Sequence, residues 1–408
     1  MKKLLIAALI SAATFSAHAS IESKDWHHTA TPEGSDFVQD TIVLDFFASP
    51  AEMGWTSEDM LADYIDLAHE RGITGASITI GMGAHNTWDK FVAEYNKYDQ
   101  AIRSSDTELV FVRRVEDFQK AHDEGKYAVQ WNNQSSAMLE GDLSRVETMA
   151  DMGIRTMQLV YNGTNDAASG VIDMMNGKDG GLTEFGKKVI DEMVKHSITV
   201  DLSHNSEKTI TGILDYMEDK HPGVPMIVSH SPVASTYECQ PYETIQETEN
   251  RMQKLGLKNG DDEYRLSGCY RLIDAPDAKR IADNGGVISV TFTEWMMDGI
   301  WPEDITPRQA AEMIDGAVQE VGIDHVGIAS DDMQTVAGVV GFAKKHSDLY
   351  ADNGYMLHAF DQGATGCGEM SKIMAPVVDE LKAMGYSNED MAKVFGGNLM
   401  RVYGQTWK

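Results

Sequence analysis

Basic residues are scarce in this 408-residue chain: 34 lysines and arginines stand against 64 aspartates and glutamates, a formal charge of −30. A surface that negative repels phosphate backbones and anionic lipid heads, which argues against nucleic acid and membrane-surface partners. Cysteine is scarcer still, at three residues, so the chain is no disulfide-dense scaffold. No stretch reaches the roughly 18 uninterrupted apolar residues that a membrane-spanning helix needs. Familiar catalytic signatures are missing too: there is no Gly-x-Ser-x-Gly elbow and no His-Glu-x-x-His. No Gly-rich phosphate fingerprint follows the first strand-like run, which weakens a Rossmann reading. The 24 methionines form no short repeats and read as core filler rather than copper ligands. Disorder is excluded by an ordinary hydrophobic fraction of 42%.

What is present begins with an address. Lys2 and Lys3 precede an apolar run over residues 4–15, followed by Ala17-His18-Ala19. That is the pattern of a cleaved signal peptide over residues 1–19, with the mature chain starting at Ser20. It implies a periplasmic or secreted protein without a membrane anchor. In such an oxidising compartment Cys239, Cys269 and Cys367 allow at most one internal bridge. Cys239 and Cys269 flank a polar, acidic excursion over about 236–270. A bridge there would close a loop of about thirty residues, worth roughly 3 kcal/mol in the chain-entropy model. The alternative is three unpaired, buried thiols.

Strand-like runs at 41–47, 75–80, 127–131, 156–161, 199–203, 225–229, 286–292 and 325–330 alternate with amphipathic segments. Among the latter are 56–70, where Thr56 and Asp59 have capping-box spacing, and 143–152, 183–196, 275–282 and 307–321. Eight strands with intervening helices predict an α/β (β/α)8 TIM barrel in a single domain, residues 20–408. The nearly continuous apolarity of the runs suits strands covered on both faces. Residues 369–408 read as helices packed over the barrel.

In such a barrel, chemistry gathers where strands end. The predicted third and fourth strands end at Asn132-Asn133-Gln134 and at Tyr161-Asn162. The fifth, sixth and eighth end at Ser203-His204, Ser229-His230 and Ser330-Asp331. A lone histidine at a strand end usually hydrogen-bonds loop backbone. Two on successive strands with a later carboxylate form a plausible half-shell for zinc.

These ends carry a resemblance. Gly153-Ile-Arg-Thr-Met-Gln-Leu-Val-Tyr-Asn162, Gly181-Leu-Thr-Glu-Phe-Gly186, Val200-Asp-Leu-Ser-His204, Ile227-Val-Ser-His-Ser231, Val326-Gly-Ile-Ala-Ser-Asp331 and Gly396-Gly-Asn-Leu-Met-Arg-Val402 resemble, in order, pieces of the membrane (renal) dipeptidase family. Its members are zinc metallodipeptidases on a (β/α)8 barrel. The resemblance implies zinc binding by His204 and His230, proton transfer by Asp331 and a carboxylate clamp at Arg271. It also implies a small peptide or amide substrate, and a homodimer is compatible with it.

Other positions depart from the family pattern. Phe47 and Ser49 stand where its first strand supplies metal ligands. Gln134 falls on the bridging glutamate and Tyr161 on a substrate-contacting histidine, and in both choices the chain resembles a bacterial branch of the family. Two zinc ions bring four positive charges, and a neutral amide is a poor bridge between cations. The expectation is therefore zinc at His204, His230 and Gln134, one ion at most or none, with Arg271, Tyr161 and Asn162 against substrate. The rival is a dipeptidase-fold protein without hydrolysis that binds or helps mature a peptide natural product. A third reading is metal-free chemistry through Asp331 and Tyr161.

Overall fold

The computed structural model describes residues 30–50, 58–83, 86–234, 271–292, 305–331 and 370–408, with Glu247 and Asn250. The leader, the three cysteines, most of the acidic excursion and Thr56 lie outside the described residues, as does the Ser49 side chain.

Nine parallel strands form one sheet: β1 Leu44–Pro50, β2 Gly75–Met82, β3 Leu109–Phe111, β4 Tyr127–Gln134, β5 Ile154–Gln158, β6 Thr199–Asp201, β7 Ile227–Val228, β8 Val287–Thr291 and β9 Val326–Ala329. Eight of them follow one another as β1-β2-β4-β5-β6-β7-β8-β9, while β3 pairs with β4 off that path. The seam between β9 and β1 is stitched by side chain and backbone rather than by a ladder. The Asp331 N–H donates to the Phe47 carbonyl at 2.9 Å, and the Ser330 N–H donates to the Asp45 carboxylate at 2.8 Å. A (β/α)8 barrel results, nearly closed. Among the described strands the sequence pattern missed only β3, a three-residue run too short for periodicity to register.

Helices cover the outside, with local signals that match their bounds. Thr183 caps Glu184–Lys195 by accepting from the Gly186 N–H, and Thr306 with Gln309 forms a capping box ahead of Pro307–Val321. The C-terminal helix Asn398–Thr406 closes the end of the barrel where strands begin. Tyr403 Oη meets Thr156 Oγ1 at 3.2 Å, and Thr406 Oγ1 meets Thr199 Oγ1 at 2.7 Å.

The interior corrects one expectation. Both faces of the strands are buried, but the inward face is polar. Along β4, Gln130, Asn132 and Gln134 hydrogen-bond to neighbouring strands or the site, while Trp131 packs on Tyr95 of the helix Trp88–Ile102. Thr79 donates to Asn132 at 2.7 Å, and Gln158 donates to Asp201 at 2.8 Å. Runs that look apolar from outside thus enclose a core bonded from strand to strand, in which Gln130 Oε1, Gln158 Oε1, Ser289 Oγ and Thr291 Oγ1 are nonetheless buried without a partner. Gly327 is required in this packing, since a Cβ on it would lie 2.4 Å from the Phe46 ring.

Candidate functional site

Every strand-end residue singled out from sequence lies at the end of the barrel where strands finish, opposite Tyr403. Gln134 is the last residue of β4, and His204, His230 and Asp331 follow β6, β7 and β9 within three residues. All are buried, as are Tyr161, Asn162 and Arg271. Among the described residues only five non-glycines have positive φ, and Asn162 (57°), His204 (65°) and Asp331 (50°) are three of them. Such backbone costs about 1 kcal/mol or more per residue and collects where a site needs it. Gly170 supports this arrangement: a Cβ there would lie 2.1 Å from the Asn162 carbonyl oxygen. Next to it, the Val171 N–H donates to the His204 carbonyl at 3.1 Å.

Two imidazoles and one amide converge. His204 Nε2 and His230 Nε2 are 2.8 Å apart, and Gln134 Nε2 lies 3.3 and 3.1 Å from them. Their other nitrogens decide the proton positions. His204 Nδ1 is 2.7 Å from Asn162 Oδ1, an oxygen that can only accept, so Nδ1 donates. His230 Nδ1 is 2.6 Å from Ser229 Oγ, whose own proton goes to Asp201 Oδ2 at 2.5 Å, so this Nδ1 also donates. Burial, the Arg271 cation and, for His204, the other histidine hold both rings well below the ordinary 6.5, hence neutral. Two Nε2 lone pairs therefore face one point, and the Gln134 amide can donate one hydrogen to each.

That donor set fits one cation and not two. Neutral imidazoles with Nδ1 tied off are ready ligands, and a turned Gln134 amide would add its oxygen, which is buried without a partner as it stands. Among the described residues no second ligand set stands beside it, and the Phe47 ring lies flat on His230, centroids 3.7 Å apart at 17°. Among the described residues no three His, Cys, Asp or Glu side chains form a metal-binding group, so Asp331 does not complete one with the histidines.

Around this centre, Tyr161 leans on His204 at 4.4 Å between ring centroids. Arg271 reaches in from the segment before β8 and donates to the His230 carbonyl at 3.1 Å. The Asp331 carboxyl is pushed up to about 7 by burial, with Arg271 opposing and Asp45 adding to the rise. Asp45 itself is raised to about 6 by burial, against hydrogen bonds from Ser330, Phe47 and Tyr64. The structure brings His204, His230, Gln134, Asn162 and Tyr161, all named from sequence, into one cluster. Sequence reasoning missed the roles of Asp201, Ser229 and Gly170; the Asp-Leu-Ser-His and Ser-His-Ser strings held the first two, but only as neighbours of histidine.

Comparison with known proteins agrees with the barrel fold. Residues 66–246 match the model of the membrane dipeptidase family, peptidase family M19. An uncharacterised dipeptidase of Schizosaccharomyces pombe is 24% identical over 283 residues, 69% of this chain and 54% of that protein. Human dipeptidase 3 is 22% identical over 275 residues, 66% of this chain and 43% of the other. The chain thus spans about half the length of the curated relatives it matches. Among solved structures, an amidohydrolase of Pseudomonas aeruginosa superposes with a TM-score of 0.70 at 24% identity, covering 92% of this chain and 99% of its own. A probable dipeptidase, PvdM, of the same organism does so at 0.66 and 20%, covering 92% and 98%. At these identities the structures speak for the fold. Motifs, family model and curated relatives agree: this chain is a barrel protein similar to the membrane dipeptidase family.

Proposed function

We propose that this chain is a dipeptidase-like hydrolase, acting on dipeptide-like or amide substrates with a free carboxylate and using at most one zinc ion. The observation that carries the reading is the converging pair of Nε2 lone pairs, 2.8 Å apart and buried beside Arg271. His204, His230 and Gln134 would hold the ion, which when bound supplies a Lewis acid for water and carbonyl. Asp331, poised near 7, is suited to accept a proton from the attacking water and return it to the leaving amine. The Arg271 guanidinium would grip the substrate carboxylate through its planar fork. Tyr161 and Asn162 would line the same mouth. Export by the residue 1–19 leader and a periplasmic or secreted location belong to this proposal.

Purified protein incubated with a panel of dipeptides, before and after chelation and with zinc returned, tests it. Expected is cleavage that is lost on chelation, recovers with zinc and saturates at one ion per chain. No cleavage of any dipeptide with zinc supplied overturns the hydrolase reading, and undiminished turnover in metal-free protein overturns the zinc.

A further inference from the structure

The two histidines are held by different means. His204 gives its Nδ1 proton to a neutral amide oxygen, that of Asn162. His230 instead feeds a relay, through Ser229 Oγ to the buried carboxylate of Asp201. Four donors converge on that carboxylate. The Ser203 and Ser229 N–H groups reach Oδ1 at 3.1 and 3.0 Å, while Gln158 Nε2 and Ser229 Oγ reach Oδ2 at 2.8 and 2.5 Å. An acceptor-only partner leaves the Ser229 hydroxyl no choice of direction. Its proton must point to Asp201, and its lone pairs remain for others. Ser203 Oγ, 3.2 Å away, accepts from the His230 N–H, and its own proton is free to point at Ser229. The remaining lone pair of Ser229 faces His230 Nδ1.

We propose that Asp201 and Ser229 are positioning residues that lock His230 in its Nδ1–H tautomer, keeping Nε2 as a lone pair aimed at His204 and Gln134. The carboxylate sits one hydroxyl away from the ring, so it sets the proton without contacting a substrate or an ion. A carboxylate that fixes a ligand histidine directly is a familiar arrangement, and here a serine carries the same instruction across one more bond. The consequence for zinc rests on the reading proposed above; the tautomer does not.

The test uses full-length protein labelled with 15N in histidine. In the parent, both neutral rings show the Nδ1–H signature. Asp201→Asn presents a side-chain N–H to Ser229, so the hydroxyl proton turns towards His230 and the ring converts to the Nε2–H form. Ser229→Ala removes the acceptor and leaves His230 a mixture of tautomers, while Ser229→Thr restores the hydroxyl and the parent signature. Zinc affinity falls by about ten- to a hundredfold in the first two variants and recovers in the third. Should Asp201→Asn fail to fold, the serine pair carries the test alone. An unchanged Nδ1–H signature at His230 in folded Asp201→Asn or Ser229→Ala overturns the proposal. A parent that binds no zinc but whose tautomer shifts as described supports the relay while refuting the metal.

Discussion

Gln134→Leu tests the centre of the site most directly. Among the described residues the amide of Gln134 is the one group within hydrogen-bond reach of both imidazole Nε2 atoms, at 3.3 and 3.1 Å, where two lone pairs otherwise face each other across 2.8 Å. Leucine has similar bulk but no donor, so two buried acceptors lose their partner. The same change removes one orphan, the Gln134 oxygen, which is buried and unpartnered. Net, one additional buried group goes unsatisfied, a cost of about 1–3 kcal/mol in metal-free protein. With an unfolding entropy of about 2 cal/mol/K per residue, a chain of 408 residues would lose roughly 1–4 °C in Tm. Calorimetry in chelator reads that loss. Zinc titration reads the second consequence: the variant offers two imidazoles only and binds at least tenfold more weakly, about 1.4 kcal/mol. If Gln134→Leu is as stable as the parent in chelator and binds zinc as well, the amide does not satisfy the histidines and the account of the centre is wrong.

Asp331, raised to about 7, should give kcat/KM a limb that climbs through neutral pH and levels above it, and Asp331→Asn should abolish turnover; a flat profile from pH 5 to 9 refutes its role as base. Its folded pKa exceeds the unfolded 3.8, so its contribution to stability declines as pH rises between those values; denaturant titrations should show Asp331→Asn more stable than the parent at pH 8, and equality there contradicts the burial argument. Gly170→Ala drives a Cβ to 2.1 Å from the Asn162 carbonyl oxygen, so stability should fall by about 1–3 kcal/mol with weaker zinc binding, and an unchanged denaturation midpoint counts against the packing described. Arg271→Lys keeps the charge but loses the fork, so KM for dipeptides should rise about tenfold with kcat less affected, whereas an unaltered KM removes Arg271 from carboxylate binding.

The chemistry of the site follows from how little charge it holds. Two neutral imidazoles and an amide surround a point that Phe47 covers on one side. One cation can be met there without a carboxylate ligand, as all-neutral donor sets elsewhere demonstrate. The carboxylates nearby stand at one remove: Asp201 reaches His230 through Ser229, and Asp331, raised to about 7, is the proton acceptor of the proposed reaction.

The sequence by itself determined the succession of strands and helices and the identity of the residues at the strand ends, because both are local. Apolar runs of five to seven residues, caps such as Thr183 and Thr306, and His204 and His230 each closing a strand are legible along one dimension. The polar lining was hidden, since Gln130, Asn132 and Asp201 reveal their inward direction only when strands are registered side by side. Only the tertiary structure decided that Phe47 lies flat on His230 and that Gln134 spans both histidines. It also decided that Asp201 instructs His230 through Ser229. Apart from the adjacent Ser229 and His230, those relations join residues 28 to 183 positions apart in the chain, and a proton's place on an imidazole depends on what stands opposite its far nitrogen, which no stretch of sequence contains.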